Sequence, residues 1–446
     1  MRTRKIANHN NKTLKLRNLL SGRIIEKKEG WIILQINGEP YDRGFAHGFL
    51  LKNELKHTMK VLQFLLKQEL RVSMQKFMET SNKIMKPIVQ KYYPEFYEEM
   101  RGISAGARKA GLSISTDLII AWNSYISLYS YFLDGSIIKC SAFIATGKAT
   151  EKGDIVMAHN THTNFADGQL HNVIIYVTPT NGHPFVMQTS PGFIASSTDW
   201  FLCSTGIIGC ETTISAINYK PKFGDPYYCR IRQAMQYGET LDDYDKIMST
   251  RNAGDYACSW LFGDIRTNEI MLYEIGLKKK NIERTKNGVF YGMNSAMDDK
   301  IRKDETTDID HDNITTSVGA RNARLDQLLN HDLFGKLNLD NAKDVMADHY
   351  DIHLRRTELN GRGICNHSEL DEEYCGGYPH YPFGCTDAKV VNTEMAKQLS
   401  FIGRFGSACG RTFSVKKYAK ENPAYKHWAS VLHDIPKYDW INIIQK

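Results

Sequence analysis

Apolar residues along the chain follow two different periods. From about residue 44 to 110 they recur at helical spacing, with Leu50, Leu51, Leu55, Met59, Leu62, Leu65 and Leu66 on one broad face, which predicts helices with a buried side. A further helix is expected over 116–133, and a short strand over 31–37 closed by a turn at 38–40, so the first 139 residues read as mostly helical. At Cys140 the pattern changes to short apolar runs between Gly, Pro and Asn turns, predicting strands at 141–146, 154–159, 173–178, 185–189, 194–197 and 207–214. Helices are expected at 227–237 and 241–250, strands at 260–265, 269–275 and 288–293, and helices again at 320–329 and 339–349. Strand runs between helical runs, without repeat or low-complexity linker, predict an α+β fold in one domain.

The change of pattern falls on a residue with chemistry of its own. If the chain were cut between Lys139 and Cys140, one residue would carry both a thiol and a free α-amino group. Their ordinary pKa values, roughly 8.5 and about 7.7–8, are close enough for the amine to serve as base to the thiol near neutral pH. A cysteine at the head of a strand is more often a small buried hydrophobe, so the reading rests on its surroundings.

Composition narrows the field. The formal charge is +7, but nine Lys or Arg against the single acid Glu26 fall in the first 28 residues, so the basic character belongs to an arm, read as flexible over 1–29. The body is close to neutral, which argues against a nucleic-acid groove. The arm lacks the unbroken apolar stretch of a secretory signal and has too little serine for a mitochondrial presequence; its Leu14, Leu16, Leu19, Leu20, Ile24 and Ile25 make at most a weak amphipathic helix. No apolar run approaches the length of a membrane span. Nine cysteines without a C-x-x-C exclude zinc-ribbon and thioredoxin-type patterns, and leave a disulfide among Cys365, Cys375 and Cys385 conceivable in an oxidising compartment.

Other motifs compete with Cys140. Gly102-Ile-Ser-Ala-Gly106 has the letters of a nucleophile elbow around Ser104, but helical pattern precedes it where the elbow needs a strand; small residues on a packed helix explain it better. His159-Asn-Thr-His162 lacks the glutamate and helical setting of a zinc motif, and on a strand its histidines point to opposite faces, so zinc is not expected there and the pair would line a pocket at most. Asp308-Ile-Asp-His-Asp312 begins like a calcium loop but has Asn313 and Gly319 where glycine and glutamate are needed, and reads as a solvated loop. No phosphate-cradling glycine loop is present. Asn294, at a strand end, with Arg321 or Arg324, at the head of an apolar helix, supplies donors suited to a tetrahedral oxyanion.

Taken in order, Lys139-Cys-Ser-Ala-Phe143, His159-Asn-Thr161, Ser196-Ser-Thr-Asp-Trp200, Glu211-Thr-Thr-Ile214, Pro382-Phe-Gly-Cys-Thr-Asp-Ala-Lys-Val390 and Met395-Ala-Lys397 resemble the phospholipase B-like proteins. The stretches 38–48 and 99–107 are similar to the related penicillin acyltransferase-type family. The resemblance runs from about residue 30 to 446 and implies an Ntn-hydrolase: an αββα four-layer sandwich, made as a precursor that cuts itself before its nucleophile. It implies Cys140 as nucleophile with its freed amine as base, Asn294 holding the oxyanion, and one of Arg321 and Arg324, with preference for Arg324, orienting the site. His159, His162, Thr212 and Arg321 become the candidate substrate-binding residues; His162 departs from the family, which usually has Trp there. The expected parts are the arm 1–29, a helical segment 30–139 that stays associated after cleavage, and a catalytic portion 140–446. Family members are secreted or lysosomal, whereas no signal is visible here. The reaction expected first is hydrolysis of phospholipid acyl esters through an acyl-enzyme, without metal or organic cofactor and with transient contact with a membrane surface. The alternatives are an N-acyl amide hydrolase or acyltransferase, a catalytically silent lipid- or glycan-binding relative, and a serine hydrolase using Ser104.

Overall fold

The computed structural model describes residues 20–133, 139–372 and 378–445, and its architecture is the α+β mixture expected. The chain opens with a hairpin, β1 (Gly22–Lys28) and β2 (Trp31–Gly38), then helices α1 (Pro40–Leu50), α2 (Lys52–Gln68), α3 (Met74–Tyr92), α4 (Pro94–Lys109), α5 (Thr116–Asn123) and α6 (Tyr125–Phe132). Strands β3 (Lys139–Thr146), β4 (Val156–Asn164), β5 (Val173–Pro179), β6 (Phe185–Thr189), β7 (Trp200–Cys203) and β8 (Ile207–Thr213) follow. After α7 (Tyr227–Tyr237) and α8 (Leu241–Ser249) come β9 (Cys258–Asp264), β10 (Glu269–Ile275), β11 (Lys280–Thr285) and β12 (Gly288–Gly292). Helices α9 (Ser317–Asp326) and α10 (Leu339–Met346), the short pair β13 (Tyr350–Asp351) and β14 (Arg356–Thr357), and β15 (Phe383–Asn392), β16 (Phe401–Phe405) and β17 (Ile441–Ile443) complete the main elements.

Two large sheets result. One has nine strands in the order β1-β2-β5-β6-β7-β8-β9-β10-β11, the other six in the order β12-β3-β4-β15-β16-β17. Alternation of side chains along each strand divides most apolar side chains of the described residues among three large cores, with a small fourth cluster of Ile214, Ala257, Ala296 and Ile301. Ile33, Ile174 and Leu202 of the larger sheet share one with Ala142, Ile144 and Val391 of the smaller. The opposite face of the larger sheet packs Leu34, Ile175 and Phe201 against helical residues such as Leu62, Met100 and Trp122. The outer face of the smaller sheet packs Phe143, Ala158 and Val390 against Leu325, Ala342 and Met346 of α9 and α10. Among the described residues no helix is long and apolar enough to cross a membrane.

Several expectations needed correction. Gly22–Lys28, placed in the flexible arm, is an edge strand paired antiparallel to β2; the rest of the arm, residues 1–19, lies outside the described residues. Residues 194–197 are not a strand, because side chains occupy their backbone: Asn123 Oδ1 accepts from Ile194 N at 2.8 Å and Thr189 Oγ1 donates to Ala195 O at 2.6 Å. The short β7 beyond them, and β11 and β15–β17, were not foreseen.

The glycines around Ser104 serve packing. A Cβ at Gly102 or Gly106 would lie 2.2 or 2.0 Å from the carbonyl oxygens of Tyr41 and Phe45, and one at Gly44 or Gly48 would meet α4 equally closely, so α1 and α4 cross backbone to backbone. Ser104 itself donates to Ile114 O at 2.7 Å inside a continuous helix, which removes it as a nucleophile. The same crossing is fixed by a buried cluster in which Arg43 and Arg232 both donate to Glu99 Oε2, at 2.7 and 2.9 Å. Replacing Gly106 by Ala gains about 1 kcal/mol of helix propensity but forces a methyl into backbone, which costs about 1–3 kcal/mol or more. The expected outcome for Gly106→Ala is net destabilisation in urea unfolding; a midpoint at or above that of the parent would show that the crossing tolerates separation.

Candidate active site around Cys140

Sheet register assembles the site. Cys140 lies opposite Thr161 of β4, while on its other side β12 pairs Gly292 with Ala142, so continuing that antiparallel register carries Asn294 to the level of Cys140. Asn294 adopts φ 82°, a left-handed conformation that few residues other than Gly take without cost, at the point where the strand turns away. Its amide is fixed from both ends: Nδ2 donates to Thr213 O at 3.1 Å, and Oδ1 accepts from Cys140 N at 3.0 Å and from Arg321 Nη2 at 3.0 Å. The carbonyl, not the NH2, therefore faces Cys140. This corrects the expected role of Asn294 as an oxyanion donor: it holds the nitrogen of Cys140.

Arg321, not Arg324, reaches the site. From α9 it donates through Nη1 to Cys140 O at 2.6 Å and Ser141 Oγ at 3.1 Å. It is fully buried, and among the described residues no carboxylate lies within ion-pairing distance of it. Burial depresses its pKa to about 10, still high enough to keep it charged. Arg324, three residues on, turns away and forms a two-pronged pair with Asp348 at 3.0 and 2.8 Å while lying over the ring of Tyr350. Residues three apart lie on the same side of a helix, about 60° apart around its axis, so the crossing of α9 over the sheet decides which of the two points inward.

Cys140 is fully buried and shares an apolar cluster with Trp122, Tyr125 and Phe193. In the continuous chain its thiol is held neutral: burial raises its pKa well above the usual value, Glu211 and Asp199 raise it further, and Lys389 opposes them. Those two carboxyls form a buried acid pair bridged by Tyr256, whose hydroxyl contacts Glu211 Oε1 at 2.6 Å and Asp199 Oδ2 at 3.1 Å. Burial pushes Asp199 up to about 6 and Glu211 well above the carboxylate range, Glu211 further because the charge on Asp199 opposes its own. Glu211 holds a proton where Asp199 carries the charge. Lys389 is buried too, paired with Asp387 and donating to Thr161 Oγ1 at 3.2 Å.

The remaining candidates divide by face, as the strand period requires. His159 Nε2 donates to Glu211 O at 3.0 Å towards the larger sheet; burial keeps the ring neutral, and Nδ1 has no hydrogen-bond partner. His162, on the opposite face, donates to Ile364 O at 3.1 Å. Thr212 faces Gly292 across the two sheets, so closely that a Cβ there would sit 2.2 Å from its hydroxyl, and that hydroxyl is buried without a partner. Asp199, Tyr256, Ser141 and Lys389 received no role from sequence; Ser141, Asp199 and Lys389 lay inside resembling stretches, which was the available signal. The Asp308–Asp312 loop holds no calcium geometry: Asp308 and His311 both bind Ser295, next to Asn294.

No protein-family model matches the chain. An uncharacterised protein of Archaeoglobus fulgidus is 27% identical over 259 residues, covering 54% of this chain and 42% of the relative, so the chain spans less than half of that relative's length. Among solved structures, a mutant of the conjugated bile acid hydrolase from Clostridium perfringens is matched at a TM-score of 0.34 and 8% identity over 69% of this chain and 97% of the other. A second variant of the same hydrolase is matched at a TM-score of 0.27 and 8% identity, over 69% and 89%. Likeness at this level leaves the reading of the site to its own geometry.

Two outcomes follow. Arg321→Gln is expected to slow any reaction at Cys140 by about 100-fold or more, as loss of a preorganised cationic donor does elsewhere, whereas Arg324→Gln leaves it within a few-fold; equal losses would show that Arg321 is not the group in use. The second concerns the acid pair. Because the folded-state pKa of Glu211 is raised, its contribution is fully present below about pH 4.3 and is lost as pH rises towards the folded value. In a Cys140→Ala background, unfolding midpoints should fall between pH 5 and pH 8, and Glu211→Gln, which mimics the protonated acid, should flatten that fall; an unchanged slope would place the proton elsewhere.

Proposed function

We propose that the protein is a self-processing cysteine acyl hydrolase of the Ntn type, whose stacked helices and sheets are the αββα sandwich of that class, and that it cleaves N-acyl amides. The observation that carries the reading is Arg321: a fully buried guanidinium with no carboxylate in ion-pairing distance among the described residues, gripping the backbone of Cys140 near the start of β3. Burying an unpaired cation costs several kcal/mol, and a thiolate or developing oxyanion beside Cys140 would offset that cost.

In the proposed sequence the Cys140 thiol first attacks the carbonyl carbon of Lys139. The acyl group moves from nitrogen to sulfur, the proton passes to the departing nitrogen, and water hydrolyses the thioester, leaving Cys140 with a free α-amine. Asn294 Oδ1, already 3.0 Å from that nitrogen, then holds one amine hydrogen and turns the lone pair free to take the thiol proton. The thiolate attacks a substrate carbonyl, the ammonium gives its proton to the leaving amine, and water, deprotonated by the amine, releases the acid from the acyl-enzyme. Amides come first because processing of the Lys139–Cys140 peptide bond already requires the site to expel an amine.

The freed N-terminal piece would remain in place. β1 and β2 form the edge of the larger sheet, with β2 paired in parallel to β5, and Asn123, Trp122 and His47 bind the loop around Gly192, His47 accepting from Gly192 N at 2.8 Å with its pKa lowered by burial to about 4. A cavity of about 10 Å³, room for a single water, is lined by Trp122, Tyr125, Phe193 and Ser197 beside the apolar cluster that Cys140 joins, so an acyl chain would have to displace side chains there. A second reading, hydrolysis of phospholipid esters, is favoured by the meeting of the 196–200 and 211–214 stretches at the site, where Asp199 and Glu211 share Tyr256.

Intact-mass measurement under denaturing conditions tests the first step. Pieces of 139 and 307 residues are expected, co-eluting under native conditions, with Cys140→Ala remaining whole. A single uncut chain hydrolysing substrate normally, or a fully active Cys140→Ala, would overturn the mechanism. Fatty-acid release from N-acyl amino acids set beside release from phosphatidylcholine separates the two substrate readings.

A further inference from the structure

A second group of side chains, separate from Cys140, has the make-up of a metal centre. His349, Cys365, His367 and Cys409 each offer one donor atom, and all four donors lie within 4.8 Å of one another. They arrive from distant places: His349 just after α10, Cys365 and His367 beyond β14, and Cys409 beyond β16. His367 Nε2 lies 3.5 Å from Cys365 Sγ and 3.4 Å from Cys409 Sγ. A tetrahedral zinc ion with bonds of about 2.3 Å to sulfur and about 2.0–2.1 Å to nitrogen separates its donors by roughly 3.3–3.8 Å, so two edges already have the required length.

The surroundings favour an ion over a chance meeting of polar groups. Glu369 Oε1 accepts from His367 Nδ1 at 3.0 Å, which keeps that proton on Nδ1 and leaves the Nε2 lone pair facing both sulfurs, the outer-shell arrangement that metal-bound imidazoles use. The ring of His349 lies 5.1 Å from that of His367, and its Nε2 is buried with no hydrogen-bond partner. Cys365 and His367 are buried, and neither Cys365 nor Cys409 is in a disulfide. Two thiolates and two neutral imidazoles balance a divalent charge, and mixed S2N2 donors at tetrahedral spacing select zinc over calcium or magnesium.

We propose that His349, Cys365, His367 and Cys409 form a structural zinc site that pins the 349–367 loop to the turn after β16. Four protein donors leave no open position for water, so the ion's role is architectural. The loop it fixes matters to the active site. Ile364, next to Cys365, accepts through its carbonyl from Asn160 Nδ2 at 3.2 Å and from His162 Nε2 at 3.1 Å, and these two residues flank Thr161, the sheet partner of Cys140. His162 is thus a positioning residue, anchored to the metal loop.

The test uses the full chain, purified without added chelator, with zinc and cobalt as probes. About one zinc per chain is expected by elemental analysis, and Co2+ exchanged into the site should give the intense visible bands of tetrahedral thiolate coordination. Cys140→Ala should keep both signals, so failure of the acyl-hydrolase reading would leave this result untouched. Cys365→Ser and Cys409→Ser should each lose tenfold or more in zinc affinity. If those variants do not fold, parent protein stripped with chelator and retitrated with zinc against a chromophoric competitor reads the same affinity. A stripped chain that takes up less than one equivalent even at excess zinc, octahedral cobalt spectra, or a Cys365–Cys409 disulfide that persists when zinc is supplied would overturn the proposal.

Discussion

The arrangement around Cys140 depends on one expensive contact, the burial of Arg321 with no counter-charge among the described residues. A cation taken out of water costs several kcal/mol unless an anion or a set of acceptors compensates, and among the described residues Arg321 is met by neutral oxygens: the Cys140 carbonyl, Ser141 Oγ, the Ser317 carbonyl and hydroxyl, and Asn294 Oδ1. Much else is explained by keeping that cation where it is. α9 packs on the outer face of the smaller sheet, Asn294 is held in a left-handed conformation to offer its oxygen, and the edge of the sheet stops at Gly292 so that the guanidinium can reach Cys140. Such a site is in deficit until a negative charge arrives.

The electrostatics of the continuous chain hold that charge back. Cys140 is flanked by an acid pair that shares a proton, and burial together with those carboxyls keeps its thiol neutral. A peptide nitrogen at Cys140 can donate to Asn294 but cannot accept a proton. An amine at the same position would do both, so the proposed cut would convert a hydrogen-bond donor into a base with little movement of the atoms around it. Because the preceding segment supplies two strands of the larger sheet and the residues that clamp the Gly192 loop, cutting it need not release it. Association of the proposed pieces would rest on the sheet, independent of the bond.

Sequence and structure agree best where periodicity is local. The helical face from Leu55 to Leu66, which the break at Leu51 separates from Leu50, the strands at Phe185–Thr189 and Glu269–Ile275 and the helix Tyr227–Tyr237 could be read directly, because each is decided by its own alternation or 3.6-residue repeat. Elements that depend on partners were lost. Gly22–Lys28 is a strand only because β2 lies beside it, and its Lys and Arg residues, which suit an exposed edge, read as a solvated arm. Residues 194–197 have the composition of a strand, but Asn123 and Thr189 take the backbone groups a ladder would need.

The site shows the same limit more sharply. As candidates, Cys140 stood out because it lies at the start of a strand at a break in pattern, and Asn294 because it follows one. The choice between Arg321 and Arg324 was not, since both precede the same apolar run and only the crossing of α9 over the sheet decides which points inward. The two-histidine, two-cysteine tetrad lies further still from any sequence pattern. Zinc motifs are recognised when ligands sit two to five residues apart on one hairpin or helix, whereas here His349, Cys365 and Cys409 come from separate connections that meet only once β4, β15 and β16 have aligned. Ligands so distant cannot nucleate the fold through a local metal loop. An ion bound there acts on an already assembled sheet, tightening the loop that carries Ile364 and, through Asn160 and His162, the strand against which Cys140 is held.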